Sequence, residues 1–285
     1  MNLDCINCLI YDAINWLKFI YAFCVFSYFY HLETILKLAL LSDLHANLHA
    51  LEACLLHAKN QGANRFAFLG DLVGYGAFPN EVTQLVMQYH DEGALVIKGN
   101  HDEMAVNPPI VVETYGASTA AWTHDQLNNE QLRFLDQLPL SLQEDECFLV
   151  HASADEPHKW RYVTDERTAS NSLAAVTVWP KVRYVFCGHV HQQTLYYRGK
   201  GPSLMQFTPH PTVPIPVNKH RSWLATVGSV GQPRDGNNRA MYAILDTDKN
   251  QLIFFRVAYD YLSAAQAIRD AGIPEFFANR LETGR

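Results

Sequence analysis

"LKLALLSDLHANL", residues 36–48, reads as a short buried strand that stops abruptly at Asp43-Leu44-His45 and hands over to a helix. Leu48, Leu51, Leu55 and Ala58 then recur on one helical face, and either Asp43 or Asn47 is placed to cap that helix. The same pattern repeats down the chain. "RFAFLG" runs into Asp71, "ALVIKG" into Asn100-His101-Asp102, "CFLV" into His151, and "YVFCG" into His189-Val190-His191. A further helix is expected over about 79–91, with Pro79 in its first turn. Apolar runs alternating with helical periods indicate an α/β fold. In open α/β sheets, ligand sites form beyond the carboxyl ends of the strands.

Taken singly, each of these polar residues has an ordinary explanation. Asp71 can be a turn carboxylate, and His151 a buried, hydrogen-bonded imidazole. His189 and His191 share one side if the strand continues through them, because side chains alternate with period 2. Five strand ends that all finish in a residue able to hold a metal are not explained one at a time. Together they indicate a metal site.

In this order the residues resemble the calcineurin-like metallophosphoesterases, whose pattern is D-x-H, G-D, G-N-H-[DE], H and G-H-x-H. Every element is present: Asp43-Leu44-His45, Gly70-Asp71, Gly99-Asn100-His101-Asp102, His151 and Gly188-His189-Val190-His191. The resemblance covers about residues 37–260. With "VGSVGQPRDGN" (227–237), it is greatest to the bacterial predicted-phosphodiesterase branch. It implies a four-layer αββα sandwich, two mixed β-sheets face to face with helices outside. It also implies two divalent cations. Asp43, His45 and His191 would complete one metal site, Asn100, His151 and His189 the other, with Asp71 bridging. Mixed nitrogen and oxygen ligands without thiolate suit Mn, Fe, Zn, Co or Ni better than Ca or Mg alone, and Mn is favoured.

By the same resemblance His101 contacts the substrate phosphate or protonates the leaving oxygen, and Asp102 is a candidate to hold the His101 ring in one tautomer. The implied reaction is hydrolysis of a phosphate ester, most simply a diester. Phosphomonoester or dinucleoside-polyphosphate hydrolysis is the alternative, and a non-catalytic scaffold lies outside the enzyme class. Monoesterase relatives usually carry Arg after G-D-x-V and Glu after G-N-H, where this chain has Gly74-Tyr75 and Asp102.

Composition bounds the rest. The chain has 285 residues, 48% hydrophobic and 18% charged, as in a soluble globular protein. A net charge of −7 and a pI near 6.0 argue against a general nucleic-acid binder; the expected partner is a small or phosphorylated substrate. Six Cys without regular spacing, including a lone Cys5-x-x-Cys8, read as free thiols and hence a reducing, cytoplasmic setting. Residues 9–32 are apolar and aromatic, interrupted by Asp12, Asn15 and Lys18, with no signal-peptide pattern. The globular pattern begins abruptly at Leu36, so residues 1–35 are expected to be a mis-extended start. Residues 36–285 then form the working domain, and an intact mass beginning near 36 would confirm it. A membrane tether is the alternative.

Around the site, "TAAWTHDQL" and "NEQLRFLDQL" read as two helices broken at Asn128-Asn129, either a cap or ordinary covering helices. "ASADEPHKWRYV" after His151 reads as a loop, offering His158, Trp160, Arg161 and Tyr162 as substrate contacts. Tyr75 and Arg234 are further candidates, Arg234 alternatively capping its own loop. Residues 199–219, with five Pro, read as an irregular excursion. A strand at 251–259 and helices near 261–271 and 274–281 close the chain.

Overall fold

Leu38 and Leu40 face one way along the first strand, and Ala39 and Leu41 face the other, yet all four are buried. A strand apolar on both faces must be covered on both, and this one is. The computed structural model describes residues 37–199 and 203–285; the apolar N-terminal segment and its alternative readings lie outside the described residues.

The first sheet has the order β3-β2-β1-β11-β12-β9. Its strands are β1 (Lys37–Leu41), β2 (Arg65–Phe68), β3 (Leu95–Val96), β9 (Ile215–Pro216), β11 (Ala240–Asp246) and β12 (Gln251–Val257). The second runs β4-β5-β6-β10-β7-β8. It comprises β4 (Ser141–Glu144), β5 (Cys147–Val150), β6 (Tyr184–Cys187), β7 (Gln193–Arg198), β8 (Leu204–Phe207) and β10 (Trp223–Val227). Leu38, Leu40 and Leu69 from one sheet meet Leu149, Phe186 and Ala225 from the other in a shared core. Outside the first sheet, Ala39, Leu41 and Phe68 pack on α1 (Leu48–Asn60) and α2 (Pro79–Asp91). Outside the second, Val150 and Val185 pack on Ala169 and Leu173 of α6 (Glu166–Ala175). The result is the expected αββα sandwich, two mixed sheets with flanking helices.

Three parallel strands, β1, β2 and β3, end at one edge of the first sheet. Three more, β5, β6 and β10, end at the corresponding edge of the second. Asn47 rather than Asp43 caps α1, accepting from the N–H of Ala50. Beyond β3 the chain turns at once into α3 (Asn100–Val106), a helix the periodicity did not show. The two helices flanking Asn128, α4 (Ala120–Gln126) and α5 (Asn129–Gln137), are covering helices: Leu127 and Leu135 join the core outside the first sheet. Asn128 caps the second of them. The excursion at 199–219 contains the short strands β8 and β9. At the C-terminus, α7 (Tyr261–Asp270) and α8 (Glu275–Thr283) close on Tyr75 through Phe277 and Ile268.

Two motif glycines have a steric reason. A Cβ on Gly99 would overlap the backbone nitrogen and a carboxylate oxygen of Asp71, and one on Gly188 would overlap Ser42 Oγ and Asp43 Oδ2. The strand ends therefore approach to a distance that only glycine permits. Gly99→Ala is expected to cost about 3 kcal/mol or more in urea unfolding, because the obstacle is backbone and cannot rotate aside. An unchanged midpoint would contradict this close approach.

Candidate metal centre

Asp43, His45, Asp71, His189 and His191 all adopt left-handed backbone, with φ of 53°, 47°, 52°, 65° and 57°. This region is sparsely used by residues other than Gly and clusters at functional sites. The turns bend each strand end inward. They also correct the expectation for His189 and His191, which do not lie on one side of an extended strand. His191 turns toward Asp43 and His45, while His189 turns toward Asp71 and His151.

One group is Asp43, His45 and His191, the other Asp71, His151 and His189, and His45 and Asp71 also fall within reach of His101. In the first, His191 Nε2 lies 3.1 Å from Asp43 Oδ1 and 3.1 Å from His45 Nε2. In the second, His151 Nε2 lies 3.2 Å from Asp71 Oδ2. That same Asp71 oxygen is 3.7 Å from His45 Nε2, so it stands between the groups. All of these side chains are buried.

Whether a cation fits can be argued from the imidazole protons. His45 Nδ1 faces the carbonyl oxygen of Val73 at 3.2 Å, His151 Nδ1 that of Leu69 at 2.7 Å, and His191 Nδ1 that of Gln232 at 2.6 Å. A carbonyl only accepts, so each Nδ1 carries a proton, and each ring in its neutral form presents a bare Nε2. Two bare nitrogens 3.1 Å apart, as in His45 and His191, cannot hydrogen-bond each other. The buried His151 Nε2, His189 Nε2 and Asn100 Oδ1 have no hydrogen-bond partner among the described residues. These lone pairs, gathered around ionised carboxylates, fit divalent cations.

The charge states differ from ring to ring. Despite the opposing effect of burial, the His191 and His151 imidazoles hold the Asp43 carboxyl below its ordinary range. Burial holds His45 well below the usual imidazole value and takes His189 to about 3. His151 is the exception. Burial disfavours its charge, but the Asp71 carboxylate raises it to about 9.

His101 and Asp102 start α3 and have different surroundings. The His101 backbone N–H donates to Asp71 Oδ1 at 2.8 Å, while its ring faces a cavity of about 700 Å³. Burial holds that ring to about 4, so it is neutral at pH 7. Asp102 does not orient it. Asp102 Oδ1 accepts from the N–H groups of Leu72 and Val73 at 2.8 and 3.2 Å, and Oδ2 from Gly99 N–H at 2.8 Å. Burial raises the Asp102 carboxyl to about 7 while the Gly99 and Val73 amides favour its anion. Its oxygens are occupied by backbone amides, so it ties the start of α3 to the turn after Asp71.

Tyr75, also left-handed at φ 66°, packs its ring 4.5 Å from His45 and 4.3 Å from His101 and lines the cavity. Trp160 and Tyr162 form another wall, Tyr162 stacked on His189 at 4.0 Å. Arg161 is directed elsewhere, its guanidinium paired at 2.6 Å with both Asp155 and Glu156. His158 sits on a short turn with no buried residue. Arg234 lies near the site, its guanidinium carbon 5.8 Å from the Tyr75 ring centre. Sequence reasoning missed Gln232, whose carbonyl orients His191, and Ser229, whose Oγ donates to the Asp43 carbonyl at 2.8 Å. Both follow β10, a sixth strand end whose glycines were visible but whose polar residues are unremarkable ones.

Residues 36–250 match the calcineurin-like phosphoesterase superfamily domain. The chain is 33% identical over 262 residues to an uncharacterized protein of Methanocaldococcus jannaschii, covering 87% of this chain and 98% of that one. It is also similar to the crystal structure of a metallophosphoesterase from Sphaerobacter thermophilus, with 31% identity and a TM-score of 0.77, covering 88% of this chain and 100% of that one. A hypothetical protein from Pyrococcus horikoshii shares the fold at 18% identity and a TM-score of 0.69, covering 88% and 99% of the two chains. With its family's ligand pattern gathered at the strand ends, this chain belongs to the calcineurin-like phosphoesterase superfamily and is a metal-dependent phosphoester hydrolase.

Proposed function

We propose that this enzyme hydrolyses a phosphodiester, using residues 36–285 as its catalytic domain and two Mn²⁺ ions. The observation that carries the dinuclear site is the set of unpartnered, inward-facing His151 Nε2, His189 Nε2 and Asn100 Oδ1 around Asp71. Asp43, His45 and His191 would hold one ion and Asn100, His151 and His189 the other, with Asp71 placed between the two groups. Such a pair, when bound, offsets the charge of a phosphate ester and makes water a usable nucleophile near neutral pH.

The preference for a diester is supported by what stands beside the centre. A monoester brings more negative charge than a diester. Where monoesterase relatives carry Arg, this chain has Tyr75, whose hydroxyl burial pushes above its ordinary value and keeps neutral. Met104, Pro109 and Val111 give the cavity an apolar side, and Trp160 and Tyr162 an aromatic one, suited to the second ester group. His101 presents a neutral imidazole to the same space. It donates an N–H to a phosphate or leaving oxygen, and gains basicity as the anion approaches. Among the described residues no helix is long and apolar enough to cross a membrane, and the enzyme is proposed to work in the cytoplasm.

Asp71→Asn is expected to lose metal and activity together. His101→Ala should keep two metal ions per chain by elemental analysis, while turnover falls about 100-fold or more; retained turnover would remove His101 from the reaction. Asp102→Asn should act on the fold. It leaves at least one backbone N–H unpaired, which lowers stability by about 1–3 kcal/mol in urea unfolding. For the substrate class, the Mn²⁺-loaded chain is assayed on bis(p-nitrophenyl) phosphate and p-nitrophenyl phosphate in parallel. A higher kcat/KM on the diester is expected, and monoester preference would overturn the phosphodiesterase reading.

A further inference from the structure

Gln232 Oε1 is asked to accept more hydrogen bonds than it can serve. Arg234 directs Nε at it from 3.2 Å and Nη2 from 2.8 Å, and Arg280, from α8, adds Nη1 at 3.1 Å. A neutral amide oxygen has two lone pairs and here faces three donors from two cations. Among the described residues neither guanidinium has a carboxylate partner, whereas Arg256 and Arg269 are each paired with acids. The Arg280 Nε is buried with no hydrogen-bond partner among the described residues. Burial and the Arg234 charge both act against the Arg280 cation and lower its pKa. Apart from the Gln232 amide oxygen and the Tyr75 hydroxyl beside Arg234, both neutral, no acceptor is shown for this pair of cations among the described residues.

It is also firmly built. Arg280 lies over the Phe276 ring at 4.5 Å. The loop carrying Arg234 is pinned to α8 by Gly236 N–H donating to the Gly284 carbonyl at 2.8 Å. Gln232 is held from behind, its N–H on Ser229 Oγ and its carbonyl on His191 Nδ1. One aromatic ring, Tyr75, stands between Arg234 and His45, and that ring lines the cavity.

The geometry points to Arg234 and Arg280 as a second phosphate subsite, beyond Tyr75, that binds a phosphate group of the substrate other than the one hydrolysed. Two guanidinium forks offer several donors from two directions, which matches the many oxygens of a phosphate better than a single amide oxygen. The substrate class narrows accordingly, to phosphodiesters that carry an additional phosphate. This deepens the phosphodiesterase reading and rests on it for the identity of the reacting group.

Two measurements on the Mn²⁺-loaded full chain test it. In the first, kcat/KM is compared between bis(p-nitrophenyl) phosphate and a p-nitrophenyl nucleoside phosphodiester bearing a second phosphate on its other hydroxyl. The wild type should prefer the second, and Arg234→Gln and Arg280→Gln should each shrink that preference tenfold or more through KM. An unchanged ratio in both variants, or equal losses on both esters, overturns the subsite; equal losses would mean that the guanidinium groups serve the reacting phosphate. In the second, inorganic phosphate is titrated calorimetrically. The wild type should bind two per chain, one at the metals and one at the arginines, and Arg280→Gln one. A single equivalent in the wild type, or two in the variant, also overturns it. A loss of one equivalent without any change in selectivity would overturn the substrate role and leave a site for free phosphate. Because the titration needs no turnover, a chain that hydrolyses neither ester but shows the drop from two to one would refute the phosphodiesterase reading alone.

Discussion

Asp43 is where the two sheets are joined. It follows β1 of the first sheet, and its carboxylate accepts the backbone N–H of His189, which follows β6 of the second, at 2.9 Å. Its own N–H donates to the Gly70 carbonyl, and its carbonyl accepts from Gly231 N–H, each within 3.0 Å. One residue therefore fixes the turns after β1, β2, β6 and β10 relative to one another. The metal groups, the cavity and the arginine cluster are all positioned from those turns. The sandwich core behind them is ordinary packing; this junction makes its edge a site.

The junction runs against several stability rules at once. The carboxyl groups of Asp43, Asp71 and Asp102 are buried, imidazole nitrogens face one another, and at least five non-glycine residues hold left-handed backbone. Each carries a cost that the surrounding structure must offset. The offset is visible as main-chain hydrogen bonding. Asp102 gathers three backbone amides, Asp71 accepts from His101 N–H, and Ser229 holds the Asp43 carbonyl. Divalent cations relieve what remains, so metal affinity and local stability belong to the same balance.

Much of this was legible in the chain because the ligands sit directly beyond apolar runs, and both strand ends and chelating residue types can be read without tertiary information. The sandwich was not readable from alternation alone; the motif order supplied it. What escaped depends on partners far along the chain. Asp102 looks like an orienting acid until Leu72, Val73 and Gly99 claim its oxygens. Arg161 looks free until Asp155 and Glu156 take it, and Arg280 is one basic residue on an amphipathic C-terminal helix until Gln232 and Arg234 meet it. The period-2 reading of His189 and His191 failed because the strand had already ended.

The imidazoles of His45, His151 and His191 are all aimed by main-chain carbonyls, those of Val73, Leu69 and Gln232. Where a carboxylate aims a metal-binding histidine, a single substitution can remove or retune it. Here no point mutation of the orienting residue deletes the oxygen that does the aiming. The tautomers are thus protected from most single-residue drift. The changes able to disturb them are those that move backbone, such as insertions, deletions and losses of the glycines at the strand ends. Side-chain substitution on the cavity wall, at Met104, Pro109 or Val111, leaves those main-chain oxygens in place.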